Sequence, residues 1–173
     1  MASYFYLMSS LPGLRSDAEL PITYAEFLEC CQPNVSASTY QLLTDLTLAS
    51  DKGPLIEDWF RFYGMLSKEL NYQRSQKLGK SYSGAYDKDG LIGQVVNSAL
   101  KAKNPLEAEK ILLAYEFEML DTLVGLHAFD DYELFGYAIK LKLLERQGCF
   151  EQEKGKAEFK ALFDQVQQRV YSL

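Results

Sequence analysis

Apolar residues recur at spacings of three and four along most of the chain, the period of a helix buried on one side. From Leu55 the stripe runs through Ile56, Trp59, Phe60, Tyr63, Leu66 and Leu70. It predicts an amphipathic helix that continues through a more polar stretch to about Leu78. Leu91, Ile92, Val95, Val96, Ala99 and Leu100 mark a second helix. Ile111, Leu112, Tyr115, Met119, Leu120 and Leu123 mark a third, fading near Gly125, and Phe159, Leu162, Phe163, Val166 and Val170 a last one. Only "YFYLM" near the start is ambiguous between strand and helix. The predicted fold class is all-α, an antiparallel bundle of about six to seven helices, arranged as one unit or as two helical lobes.

Helix ends are legible from capping chemistry. Thr23 with Glu26 has the spacing of a capping box, and Pro33 stops the short helix that follows. Ser36 is the expected cap of the helix in "SASTYQLLTDLTLAS". Pro54 suits a first helical position, as does Pro105 behind the cap Asn104. Glu107 and Glu109 then favour the positive helix start. Asp130, with Glu133 three residues on, opens the helix that Gly148 closes. The stretch 79–90, rich in glycine and serine and ending in a DKDG turn, separates an N-terminal helical region (1–80) from a C-terminal one (81–173). The two are read together as one compact unit.

The segment 132–146, "YELFGYAIKLKLLER", sharpens the question of function. On a helical wheel Leu134, Tyr137, Ala138, Leu141 and Leu144 share one face, and Phe135, Ile139 and Leu143 continue round from it. Glu133, Gly136 and Lys140 form a narrow polar strip. Lys142, Glu145 and Arg146 lie outside that strip and interrupt the apolar arc. Two explanations follow: the cations stabilise the helix end while their stems lie along apolar surface, or Lys140, Lys142, Glu145 and Arg146 bind a partner. On the second, reversing Lys142 and Arg146 to Glu leaves the fold largely intact and weakens complex formation.

Composition narrows the function classes. The formal net charge is −6 and the pI about 4.9, which argues against a nucleic-acid binder. Charge is unevenly spread: 68–88 carries Lys68, Arg74, Lys77, Lys80 and Lys88, whereas 111–139 holds no Lys or Arg. Neighbouring helices neutralising one another, or docking onto charged partners, would each account for this. No apolar run is long enough for a membrane span, and the start lacks the positive flank of a signal peptide. Cys30, Cys31 and Cys149 have no metal-ligand spacing and read as reduced thiols of a cytoplasmic protein.

Catalytic chemistry finds no motif. His127 stands alone, and no phosphate loop, dinucleotide fingerprint or nucleophile elbow is present, so no cofactor and no metal are expected. The DKDG turn fails as a calcium loop, because Ala85 and Val96 fall where the first and last carboxylates belong. Glu116, Glu118 and Asp121 read as a solvated face.

Tyr4, Tyr6, Leu7, Leu11 and Pro12, together with Asp130, Tyr137, Lys140, Leu141, Leu144, Glu145 and Arg146, resemble an uncharacterised bacterial family associated with V-type (A/V-type) ATP synthase. More distantly, both blocks are similar to the C (d-type) subunit of that machine, an all-helical socket between shaft and membrane ring. The chain is much shorter than that three-lobed protein. The resemblance therefore implies a non-enzymatic, subunit-C-like component or assembly factor, whose partners are V-type ATP synthase subunits and whose place is cytoplasmic, peripheral to the membrane. A general helical adaptor with unrelated partners and an enzyme using carboxylates in a cleft are the alternatives.

Overall fold

The computed structural model describes residues 4–84, 87–148, 160–164 and 167. Among them the chain is all-α, and its bounded helices are α1 (Phe5–Ser10), α2 (Tyr24–Cys31), α3 (Ala37–Thr44), α4 (Ile56–Lys77), α5 (Gly90–Leu100), α6 (Pro105–Val124) and α7 (Asp131–Gly148). The ambiguous "YFYLM" is therefore helical from Phe5 onward. Residues 160–164 are helical as well; Phe159, Val166 and Val170 of the predicted last helix, and Cys149, lie outside the described residues.

Most caps form as local chemistry dictates. Thr23 and Glu26 close a full capping box, and the side chains of Ser36 and Asn104 accept from Thr39 N and Glu107 N. Two starts differ from expectation. Asp89, read as part of a turn, caps α5 by accepting from Leu91 N at 2.8 Å and Ile92 N at 3.0 Å. Pro54 precedes α4 rather than beginning it, because Leu55 adopts left-handed backbone (φ 64°) and the helix starts at Ile56. Leu55 is buried, so its apolar contacts hold a conformation that costs a non-glycine residue roughly 1–3 kcal/mol.

One hydrophobic cluster runs through the elements on both sides of 79–90, from Tyr4 and Leu7 through Phe27, Leu43, Trp59 and Leu66 to Leu113, Leu120, Phe135 and Leu141. Helix α6 is its axis. Leu55 and Val124 both approach Gly136, and Phe62 meets Tyr115 edge-on at 5.6 Å, so α4 runs antiparallel to α6. Gln73 Nε2 donates to Gly93 O and Lys77 Nζ to Leu100 O, so α4 and α5 advance in the same direction. Lys140 reaches Asp121 while Arg146 reaches Glu116 and Glu109, which makes α7 antiparallel to α6.

Gly136, expected in a polar strip, is buried. A Cβ there would lie 2.6 Å from Val124 Cγ2, so its missing side chain permits the close approach of α7 to the end of α6.

Candidate partner-binding site

The four candidate partner-binding residues are all half-buried, and each has a partner inside the chain. Lys140 Nζ lies 2.5 Å from Asp121 Oδ1 and 5.4 Å from the centre of the Phe117 ring. Lys142 Nζ sits 3.6 Å over the ring of Tyr24, the range of a cation–π contact. Glu145 Oε1 accepts from Tyr24 N at 3.1 Å. A carboxylate thereby meets the positive start of α2, and Lys142 and Glu145 together seat the first turn of α2 on α7.

Arg146 goes furthest inward. Its Nε donates to Glu109 Oε1 at 2.7 Å, and Nη1 and Nη2 form a fork onto Glu116 at 2.9 and 2.5 Å. The Glu116 side chain is 1% exposed, Glu109 8% and Arg146 24%. Glu116, read from sequence as part of a solvated face, is thus a core carboxylate. One guanidinium serves two carboxylates. Burial opposes the charge on Arg146, but Glu116 and Glu109 outweigh it and its pKa rises. Glu116 is more deeply buried; burial, aided by the like charge of Glu109, outweighs Arg146 and raises its pKa above the usual carboxylate value.

The opening block, Tyr4 to Pro12, and the block from Asp130 to Arg146 meet in space. Tyr4 N donates to Phe129 O at 2.7 Å and Tyr4 Oη to Asp131 Oδ1 at 2.8 Å. Tyr137 Oη donates to Pro12 O at 2.9 Å. Burial, followed by the nearby thiols of Cys30 and Cys31, pushes the Tyr137 phenol up to about 12, so it stays protonated as a donor. Tyr4, Leu7, Leu141 and Leu144 are buried, while Tyr6, in the same opening block, points out at 85% exposed.

His127 is half-exposed, with Nδ1 2.6 Å from Asp130 Oδ2 and its ring stacked on Tyr132 at 4.2 Å. Burial opposes the charge of Asp130, but bonds from His127 and the α7 backbone prevail and lower its pKa. Cys31 is buried, and burial raises its thiol to about 12. Among the described residues no group of three or more His, Cys, Asp or Glu side chains is placed to hold a metal ion. A depression lined by Arg15, Asp17, Phe117, Glu118 and Asp121 is broadly open to solvent. No described helix is long and apolar enough to cross a membrane.

Sequence reasoning missed a group of side chains at the junction of α1 with the α6–α7 loop. Phe5 packs edge-on against Phe129 at 4.9 Å and Tyr6 at 5.5 Å. Phe5 and Tyr6 remain largely exposed, and Leu126 stands fully in solvent. The periodic stripe of α6 stops at Leu123, so Leu126 carried no helical signal. Comparison of the chain with family models, with curated proteins and with solved structures gives no match.

Proposed function

We propose that this chain is a non-enzymatic component of a V-type ATP synthase, a subunit-C-like part or an assembly factor, acting in the cytoplasm through protein–protein binding. The observation that supports this reading most is the union of the two resembling blocks. Residues 4–12 and 130–146 are far apart in sequence, yet the former are bonded to Phe129, Asp131 and Tyr137. The residues that carry the resemblance sit in two distant stretches of the sequence, and their union at one joint supports a shared local architecture.

The test is capture. The full chain, tagged and expressed at native level, is recovered from gently solubilised membranes and its companions identified by mass spectrometry. Enrichment of V-type ATP synthase subunits over an unrelated tagged helical protein is the expected result. Their absence would overturn the reading in favour of an adaptor with unrelated partners.

A further inference from the structure

The topology sorts charge towards opposite ends of the bundle. Lys77 reaches the last carbonyl of α5, so Arg74, Lys77 and Lys80 gather with Lys101 and Lys103, all exposed. At the other end lie the finish of α6, the α6–α7 loop, the start of α7, α1 and the start of α4, where Lys52 and Arg61 are outnumbered by Asp51, Glu57 and Asp58. Glu118, Asp121, Asp130, Asp131 and Glu133 occupy it, within a stretch that has no Lys or Arg from 111 to 139. Lys140 reaches in to Asp121, and Arg15 is matched by Asp17 at 2.8 Å. Tyr4 Oη donates to Asp131 and Phe129 N–H to Glu133 without cancelling their charge, while Asp130 faces His127 Nδ1 at 2.6 Å.

This acidic end also presents Phe5, Tyr6 and Leu126 to solvent. The backbone that displays them is constrained. Phe129 has φ 56°, uncommon for a bulky residue. Its N–H donates to Glu133 and its carbonyl accepts from Tyr4 N. Phe5 and Tyr6 packed together against Phe129, with Leu126 exposed in the same loop, put apolar surface beside a clamped, strained residue, the kind of arrangement found at binding surfaces.

We infer that this end, with Phe5, Tyr6 and Leu126 as anchors inside an acidic rim, docks a Lys/Arg-rich amphipathic segment of another protein. It rests on the binding reading above and adds to it the surface and the partner's chemistry. Charge selects the occupant. Anionic lipid and nucleic acid are repelled by the carboxylates, whereas a segment with cations flanking an apolar side satisfies both rim and anchors. A second copy could offer its basic end, but that head-to-tail contact propagates into an open chain unless the rotation closes it.

The test uses the full chain, labelled with 15N, and a synthetic helical peptide of Leu and Lys. Amide shifts are expected at 5–6 and 126–133, with affinity falling at least about tenfold between about 0.05 and about 0.5 M salt. Tyr6→Glu and Leu126→Glu, both at exposed positions, should each weaken the peptide about tenfold with an unchanged melting temperature. Phe60→Glu on α4 serves as the control and should not. Shifts centred elsewhere, equal response to a Leu/Glu peptide, or insensitivity to both variants would overturn the inference. So would movement of the same amides with protein concentration alone, which would assign the surface to a second copy. Failure of the capture experiment beside a positive titration would sink the ATP synthase assignment and leave the surface standing.

Discussion

Helix α7 joins two regions that use the same residue types in opposite ways. Around Arg146, at its end, carboxylates and a cation are drawn inside the bundle and matched through three hydrogen bonds. At its start, Asp130 and Asp131 are half-buried, bonded to His127 and to Tyr4 Oη rather than to a buried guanidinium, beside exposed aromatic and aliphatic side chains. A buried pair is costly to break, because removing one partner leaves an uncompensated charge in the interior. A half-solvated acidic rim costs little to alter and acts mainly on encounter and orientation. The difference teaches that charge density along the sequence does not distinguish structural charges from docking charges. Depth and pairing do.

The comparison is broken most directly at Arg146. Replacing it with Met keeps much of the stem but strands Glu116 and Glu109, so a loss of about 3–5 kcal/mol is expected in denaturant unfolding. A loss under about 1 kcal/mol would mean the network carries little. A smaller effect concerns pH. The Glu116 carboxyl has a raised pKa in the folded chain, so the folded state binds its proton more readily than the unfolded chain. That contribution is complete below the unfolded pKa and is lost as pH rises through the raised folded value, with a slope of at most about 1.4 kcal/mol per pH unit. Melting temperatures of Glu116→Gln and the parent should therefore diverge in favour of Gln as pH climbs above the ordinary carboxylate range. Divergence in the other direction would contradict the assignment.

Tyr137→Phe sharpens the joint between the two resembling blocks. It deletes the bond to Pro12 O and should cost about 1 kcal/mol, read in the same unfolding assay. The smallest effect belongs to the exposed end. Leu126→Glu should change stability by less than about 0.5 kcal/mol, and a larger loss would show that Leu126 packs in solution.

Local signals were readable in the sequence and long-range ones were not. Thr23, Ser36, Asn104 and Asp130 could be named as caps because each acts on a backbone N–H three residues away. The apolar stripes of α4, α5 and α6 follow from a period that one helix carries by itself, although Phe60 and Leu91 within them are exposed and the buried Phe62, Leu113 and Phe117 lie outside them. Arg146 is different. Its partners sit 30 and 37 residues earlier, and only the register of α7 on α6 brings them together. Glu109 therefore looked like a helix-start acid and Glu116 like a surface residue. Gly136 looked polar for the same reason, since nothing nearby in sequence shows that Val124 would press against it. The interruption of the apolar arc by Lys142, Glu145 and Arg146 was visible, but not that α2 and α6 lie on that side. The acidic end appeared only as a stretch without Lys or Arg; its apolar anchors come from α1 and a loop, where periodicity is silent.

The charges at the end of α7 hold the fold, and the proposed docking surface lies at the opposite end of the bundle. Thermal unfolding of the Lys142→Glu, Arg146→Glu double variant tests this directly. It would place a third carboxylate against Glu109 and Glu116 and remove the cation from the Tyr24 ring. The account predicts collapse of the cooperative melt, or a fall of more than about 10 °C. A parent-like melt together with lost partner capture would contradict it and return these residues to a docking surface.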